Sequence, residues 1–164
     1  MTVFTAAFSA VAISAAQDLF EIVAPANSRI RLLEIDIGQY SDFADAQAEI
    51  LSLAIYRGHT TTGSGGSAVT PKNVNPYSRA SGATVAANNT TVATTAGDLL
   101  WATGWHLQAG FIWRQPEDFA RDPFRRHILL KPSQRLVIRT TVPADAITTN
   151  GSILFEEIGK SPVS

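Results

Sequence analysis

Apolar and polar residues alternate with a period of two along several short segments of the chain. In 49–57, Leu51, Leu53 and Ile55 fall on one face, and Leu136 and Ile138 do the same further on. Successive side chains of a strand point to opposite sides, so this period is typical of strands with one buried face. The pattern predicts strands at 29–37, 49–57, 135–142 and 152–158, and shorter apolar runs add 18–24, 110–113 and 127–130.

The alternation changes phase once, inside the first long strand. Ile30 and Leu32 share one face. From Leu33 onward, Leu33, Ile35 and Ile37 continue the alternation one residue out of phase. One extra residue in a strand produces such a slip. The sequence therefore predicts a β-bulge at Leu32 and Leu33.

Turn residues separate most of these segments, and no convincing amphipathic helix lies between them. Seven or eight short strands separated by such turns indicate an all-β fold rather than an α/β sheet. A chain of 164 residues is long enough for one core. We expect a single domain over 1–164, an antiparallel, jelly-roll-like β-sandwich with a long Thr/Ala/Gly-rich insertion.

The N-terminal residues 1–24 fit two patterns. Phe4, Phe8, Val11 and Ala15 fit a helical face, whereas Phe4, Ala6 and Phe8 also fit a strand. Period alone does not decide between them. We favour a strand or an extended N-terminal arm here, and a single helical turn at 42–47.

Residues 60–97 differ from the rest of the chain. They contain only Lys72 and Arg79 as charges and almost no large apolar side chains. A loop of this length with little of its own to bury is usually functional or ordered by a partner. We therefore expect an extended insertion, ordered by neighbouring subunits or a shell and taking no part in the core.

Charge and cysteine content exclude several functional classes. A net charge of -1 with 16% charged residues argues against general nucleic-acid binding. Without cysteine there are no disulfides and no thiolate chemistry. No apolar run is long enough to span a membrane, and the first basic residue, Arg29, disfavours a secretory signal. We expect a protein that is made inside the cell and has no membrane partner.

A search for catalytic chemistry finds no constellation. The histidines His59, His106 and His127 are far apart in sequence, and neither a nucleophile elbow nor a phosphate loop is present. Glu156 and Glu157 are adjacent, so in a strand they face opposite ways and cannot form a glycosidase pair. We expect one to face solvent and the other to cap or form a salt bridge. The chain is predicted to be no enzyme, with no metal and no cofactor.

All three tryptophans fall in one stretch with Phe111. Buried among Arg side chains they would suit an obligate interface, and with exposed ring faces they would suit sugar binding. Plain core packing is the third interpretation. Arg125 and Arg126 lie in a locally basic stretch that could meet an acidic partner surface or form a solvated turn. The candidate interface residues are Phe4, Phe8, Tyr77, Trp101, Trp105, Phe111, Trp113, Arg114, Arg125 and Arg126.

Five elements carry a family resemblance, in this order: Pro25…Arg29-Ile-Arg-Leu-Leu-Glu-Ile-Asp-Ile, Ala54-Ile-Tyr-Arg-Gly, Gly63-Ser-Gly-Gly…Thr70-Pro, Gly104-Trp…Gly110-Phe-Ile-Trp…Pro116-Glu and Gly151-Ser-Ile-Leu-Phe-Glu-Glu. Over roughly 25–158 the chain resembles small virion proteins of tailed phages and prophages, including jelly-roll capsid decoration (cement) proteins that assemble as trimers. The resemblance implies a homotrimer on the surface of a major capsid protein shell. It brings no catalytic residue.

Two classes of function therefore compete. The first is a structural virion protein that decorates and stabilises the head shell. The second is a tail or fibre module that recognises carbohydrate or a receptor through its tryptophans. Exposure of the tryptophan rings discriminates between the two.

Overall fold

The computed structural model describes residues 2–41, 49–77, 79–95, 97–115 and 127–159. Strands dominate this part of the chain: β1 Thr2–Ile13, β2 Gln17–Val23, β3 Ser28–Gln39, β4 Ile50–Arg57, β5 Ser67–Val69, β6 Lys72–Asn73, β7 Thr84–Asn89, β8 Asp98–His106, β9 Phe111–Arg114, β10 Leu129–Leu130, β11 Arg135–Thr140 and β12 Ile147–Gly159. A single 3-10 turn, Leu107–Ala109, joins β8 to β9.

The strands form two sheets that pack face to face. Sheet I has the order β10-β3-β12-β1-β6, with β9 also paired to β3, and sheet II has the order β5-β7-β2-β11-β4-β8. Every strand pairing within the described residues is antiparallel. The predicted all-β antiparallel sandwich is confirmed.

The core lies between the inner faces of the two sheets. Leu51, Leu53 and Ile55 point into it as the alternation predicts, and Phe4 stacks on Phe155 with ring centroids 5.8 Å apart. Burial of such side chains is the main favourable term in folding. The core therefore forms from the period-two faces that the sequence displays.

The bulge in β3 occurs where the phase slip predicts it. Leu154 of β12 lies opposite Glu34, and the next residue, Phe155, lies opposite Leu32, so Leu33 has no partner across the ladder. Ile30 and Leu32 before the bulge, like Ile35 after it, are fully buried. The extra residue keeps both halves of the strand facing the core.

The N-terminal residues form β1, which lies between β12 and the short β6. A second bulge interrupts it at Ser9 and Ala10, where Ala10 has a φ of 59°. The Asn150 Oδ1 atom accepts hydrogen bonds of 2.9 Å from the Ser9 hydroxyl and the Ala10 amide. These residues form a strand and not a helix. The helical turn expected at 42–47 lies outside the described residues.

The insertion at 60–97 contributes to its own subunit, contrary to our expectation that it would take no part in the core. It contains β5, β6 and β7, and β7 pairs along the edge of β2. Val85 and Ala87 are 4% and 1% exposed and belong to the hydrophobic core. The insertion can be ordered with few large side chains because its backbone forms the hydrogen bonds that complete sheet II.

Two glycines provide a test of how closely the insertion packs. A Cβ atom added to Gly63 would lie 2.8 Å from the backbone oxygen of Thr91, whereas one added to Gly38 would meet nothing within 4 Å. Overpacking against backbone typically costs about 1 to 3 kcal/mol. We expect Gly63→Ala to lower the free energy of unfolding by about that amount and Gly38→Ala to change it little, as measured by urea denaturation. Equal effects would mean that the insertion does not pack tightly on the domain.

Candidate protein interface

The outer face of sheet II carries two ion pairs between neighbouring strands. Glu21 on β2 accepts a hydrogen bond from Arg135 Nε at 2.7 Å, and Asp18 accepts one from Arg139 Nε at 2.6 Å. The Glu21 side chain is 4% exposed and that of Asp18 is fully buried. Buried charges need additional hydrogen bonds to offset their desolvation.

The insertion supplies those additional hydrogen bonds. Its Gly63 amide donates to Glu21 Oε2 at 2.8 Å, and its Ala93 amide donates to Asp18 Oδ2 at 2.6 Å. In return, Arg139 donates to the Ala93 carbonyl oxygen at 2.7 Å and Arg135 donates to that of His59 at 2.8 Å. Backbone groups at both ends of the insertion are thus fixed by charged side chains on the sheet beneath it.

Glu157 fixes the middle of the insertion. Its carboxylate forms a salt bridge of 2.9 Å with Arg79 and accepts hydrogen bonds from the Ser81 hydroxyl and the amides of Gly82 and Ala83. Together with Asp18 and Glu21, it fixes the insertion to its own subunit. The surfaces that the insertion presents outward are therefore preorganised.

The expectation that Glu156 or Glu157 would face solvent is wrong. Glu156 is 1% exposed and Glu157 is fully buried. Glu156 pairs with Arg31 Nε at 3.1 Å on the outer face of sheet I. The alternation correctly places the two carboxylates on opposite faces, but both faces are covered at this end of β12.

Three of the aromatic residues close one side of the sandwich. The ring centroid of Trp101 on β8 lies 5.7 Å from that of Phe111 and 6.3 Å from that of Trp113 on β9. All three are half-buried and pack against the core, and Trp105 is 1% exposed within it. Trp105 is therefore unavailable for stacking on a sugar, and the rings of Trp101 and Trp113 are only partly exposed.

The other candidate interface residues are scattered. Phe4 is fully buried and therefore unavailable to a partner, and Phe8 is half-buried against Phe20. Arg114 extends into solvent and forms a salt bridge of 2.8 Å with Glu34. Tyr77 is 96% exposed on the insertion, where its amide donates to Asn75 Oδ1. Arg125 and Arg126 lie outside the described residues.

Two long strand edges have free hydrogen-bonding groups in the described part of the chain. β8, nine residues long, ends sheet II and pairs only with β4. β1 pairs with β6 only at Phe4 and Thr5, so among the described residues its edge from Ala6 to Ile13 has no second strand beside it. β8 was not among the predicted strands, although Trp101, Thr103 and Trp105 at alternate positions fit a strand.

A groove runs beside the free edge of β1, between the two sheets. It encloses about 210 Å³ and is lined mainly by apolar side chains, namely Phe8, Val11, Ala12, Val69 and Ala87, with Gln17 and Asn88 among its polar groups. In the residues the structure describes, no group of His, Asp or Glu side chains is arranged to hold a metal ion. No helix in the same residues has the length and apolar character to cross a membrane.

Comparison of this chain with known proteins yields no sequence match and only low-scoring structural matches. No protein-family model and no curated protein sequence matches it. Among solved structures it is similar to a chain from the single-particle structure of maize chlorotic mottle virus, with 12% identity, a TM-score of 0.30 and coverage of 100% of this chain and 97% of that one. It is also similar to VP17, a capsid protein of bacteriophage P23-77, with 9% identity, a TM-score of 0.17 and coverage of 90% and 86%.

Proposed function

We propose that this chain is a structural protein of a tailed-phage virion, a decoration (cement) protein that binds the outside of the head shell as a homotrimer and stabilises it. The observation that carries the proposal is the pair of free strand edges on a well-packed sandwich. Proteins usually protect such edges with charges, Pro or short length. β8 is nine residues long and has Asp98 as its only formal charge, which suits a surface that another protein covers.

The rigidity of the subunit supports the same function. Binding costs less free energy when the contacting groups are already ordered. In the loop that carries Tyr77, the side chains of Asn73 and Asn75 accept hydrogen bonds from the amides of Asn75 and Tyr77, and Arg79 beside it pairs with the buried Glu157. An exposed tyrosine on an ordered loop is a typical anchor residue of protein interfaces.

The alternative, a carbohydrate-binding module of a tail or fibre, has less support. Its premise is exposed tryptophan rings, but Trp105 lies in the core and Trp101 packs against Phe111 and Trp113. The aromatic cluster therefore serves mainly to close the sandwich.

Co-sedimentation with empty heads that lack this chain tests the proposal. We expect saturable binding of the purified protein, bound copies in multiples of three, and heads that withstand a higher temperature. Tyr77→Ala should weaken binding at least about tenfold, the effect of losing an interface anchor, without changing the stability of the free protein. Val142→Ala, at another exposed apolar position, is the matched control. Binding to isolated tails or to glycans, with none to heads, would contradict the proposal.

A further inference from the structure

The two free edges lie on opposite sides of the sandwich. β8 lies on the side where Trp101 contacts β9, and β1 lies on the side where the groove separates it from β5 and β7. The edges therefore differ in sequence and in sheet. A single copy cannot bring one against the other.

Each edge carries one exposed charge, and the two charges are opposite. Asp98 begins β8, whereas Lys72 lies on β6, opposite Thr5 at the point where the free edge of β1 begins. Both side chains are exposed, and neither forms a salt bridge with another described residue. The remainder of both edges is uncharged.

We propose that β8 of one copy pairs with the free edge of β1 of the next copy, parallel to it, with Asp98 beside Lys72 of the partner subunit. Charge decides the orientation, because an antiparallel arrangement would place His106 beside that lysine and Asp98 at the far end of β1. A free strand edge can bind another extended segment through main-chain hydrogen bonds. The added strand would also lie along the apolar groove at Phe8 and Val11.

This inference rests on the proposed homo-oligomer and specifies its interface. Because the two paired surfaces are different, each copy offers one of each, and the contact is head-to-tail. Such heterologous contacts form a ring when the rotation between copies closes and an open filament when it does not, whereas a self-complementary contact gives a two-fold dimer. A β8-to-β1 contact therefore fits a trimer and does not fit a symmetric dimer.

Cysteine cross-linking of the full chain tests the pairing without background, since the natural chain has no cysteine. In the register that places Asp98 beside Lys72, Leu99 on β8 lies next to Ala7 on β1, and both residues are exposed. A variant carrying both Ala7→Cys and Leu99→Cys should form covalent dimers and closed trimers with a short thiol cross-linker, and each single variant should remain uncross-linked. Cross-linking of Leu99→Cys or Ala7→Cys alone would overturn the proposal, because it requires like edges to meet.

Charge reversal provides an independent readout. Asp98→Lys and Lys72→Asp should each weaken self-association at least about tenfold, as measured by light scattering, and their combination should restore it. Lys131→Asp, at an exposed position on neither edge, is the matched control. Oligomers unaffected by these changes and not linked by the cysteine pair would overturn this interface while leaving the proposed function intact. A wild-type chain that is monomeric both in solution and on heads would overturn the trimer itself.

Discussion

Replacing Glu21 with alanine should lower the free energy of unfolding by about 3 to 5 kcal/mol, the usual cost of removing one partner from a buried ion pair. The change leaves Arg135 without its carboxylate and removes the acceptor of the Gly63 amide and the Thr62 hydroxyl. Urea denaturation measures the loss. Hydrogen exchange should also show faster exchange of the Gly63 amide.

Glu34→Ala is the matched control for that variant. Glu34 also pairs with an arginine, but its side chain is 30% exposed and that of Arg114 is 67% exposed. An exposed pair of this kind contributes about 1 kcal/mol or less. If the two variants were equally destabilised, the hydrogen bonds between Glu21 and the insertion would not be what fixes the insertion to the sheet.

Deletion of residues 67–95 should abolish cooperative folding of the subunit. The deletion removes Val85 and Ala87 from the core, β7 from the edge of β2, and the amides that bond Asp18 and Glu157. Leaving the buried carboxylate of Glu157 without its described partners costs several kcal/mol, and a small domain has only about 5 to 15 kcal/mol in total. Circular dichroism combined with urea denaturation tests the expectation.

A smaller change in the same segment separates its structural and exposed parts. Replacing 74–77 with Gly and Ser residues removes Val74 and Tyr77, which are 57% and 96% exposed. That variant should fold with a nearly unchanged midpoint. A chain lacking 67–95 that unfolded at the wild-type midpoint would restore the view of the insertion as a separate arm.

The strands and the bulge in β3 could be predicted because both depend on local pattern. Leu51, Leu53 and Ile55 lie in the core because a half-buried strand must alternate. The bulge is visible because one extra residue shifts every later side chain to the other face. Features of this kind require no knowledge of distant residues.

The role of the insertion could not be predicted from composition. Its few apolar side chains suggested that a partner orders it, but its backbone bonds to Asp18, Glu21 and Glu157, which are distant in sequence. Composition counts side chains and gives no information on where backbone hydrogen bonds are made. The burial of Glu156 and Glu157 was missed for the same reason, since their arginine partners are also distant.

The aromatic cluster shows a different limit. Trp101, Phe111 and Trp113 are suited to a core, an interface or a sugar site, and only the pairing of β8 and β9 with different sheets places them between the two. The free edges of β1 and β8 likewise depend on strand order, which alternation alone does not specify. Both features bear on function more directly than any motif in the sequence.

Locating the chain within the particle tests the central claim most directly. Purified virions can be separated into heads and tails, and the peptides of this chain in each fraction quantified by mass spectrometry. We predict that the chain is found with heads, in a copy number that is a multiple of three, and is accessible to labelling from outside. Its recovery with tails, or its absence from both fractions, would contradict a role as a head decoration protein.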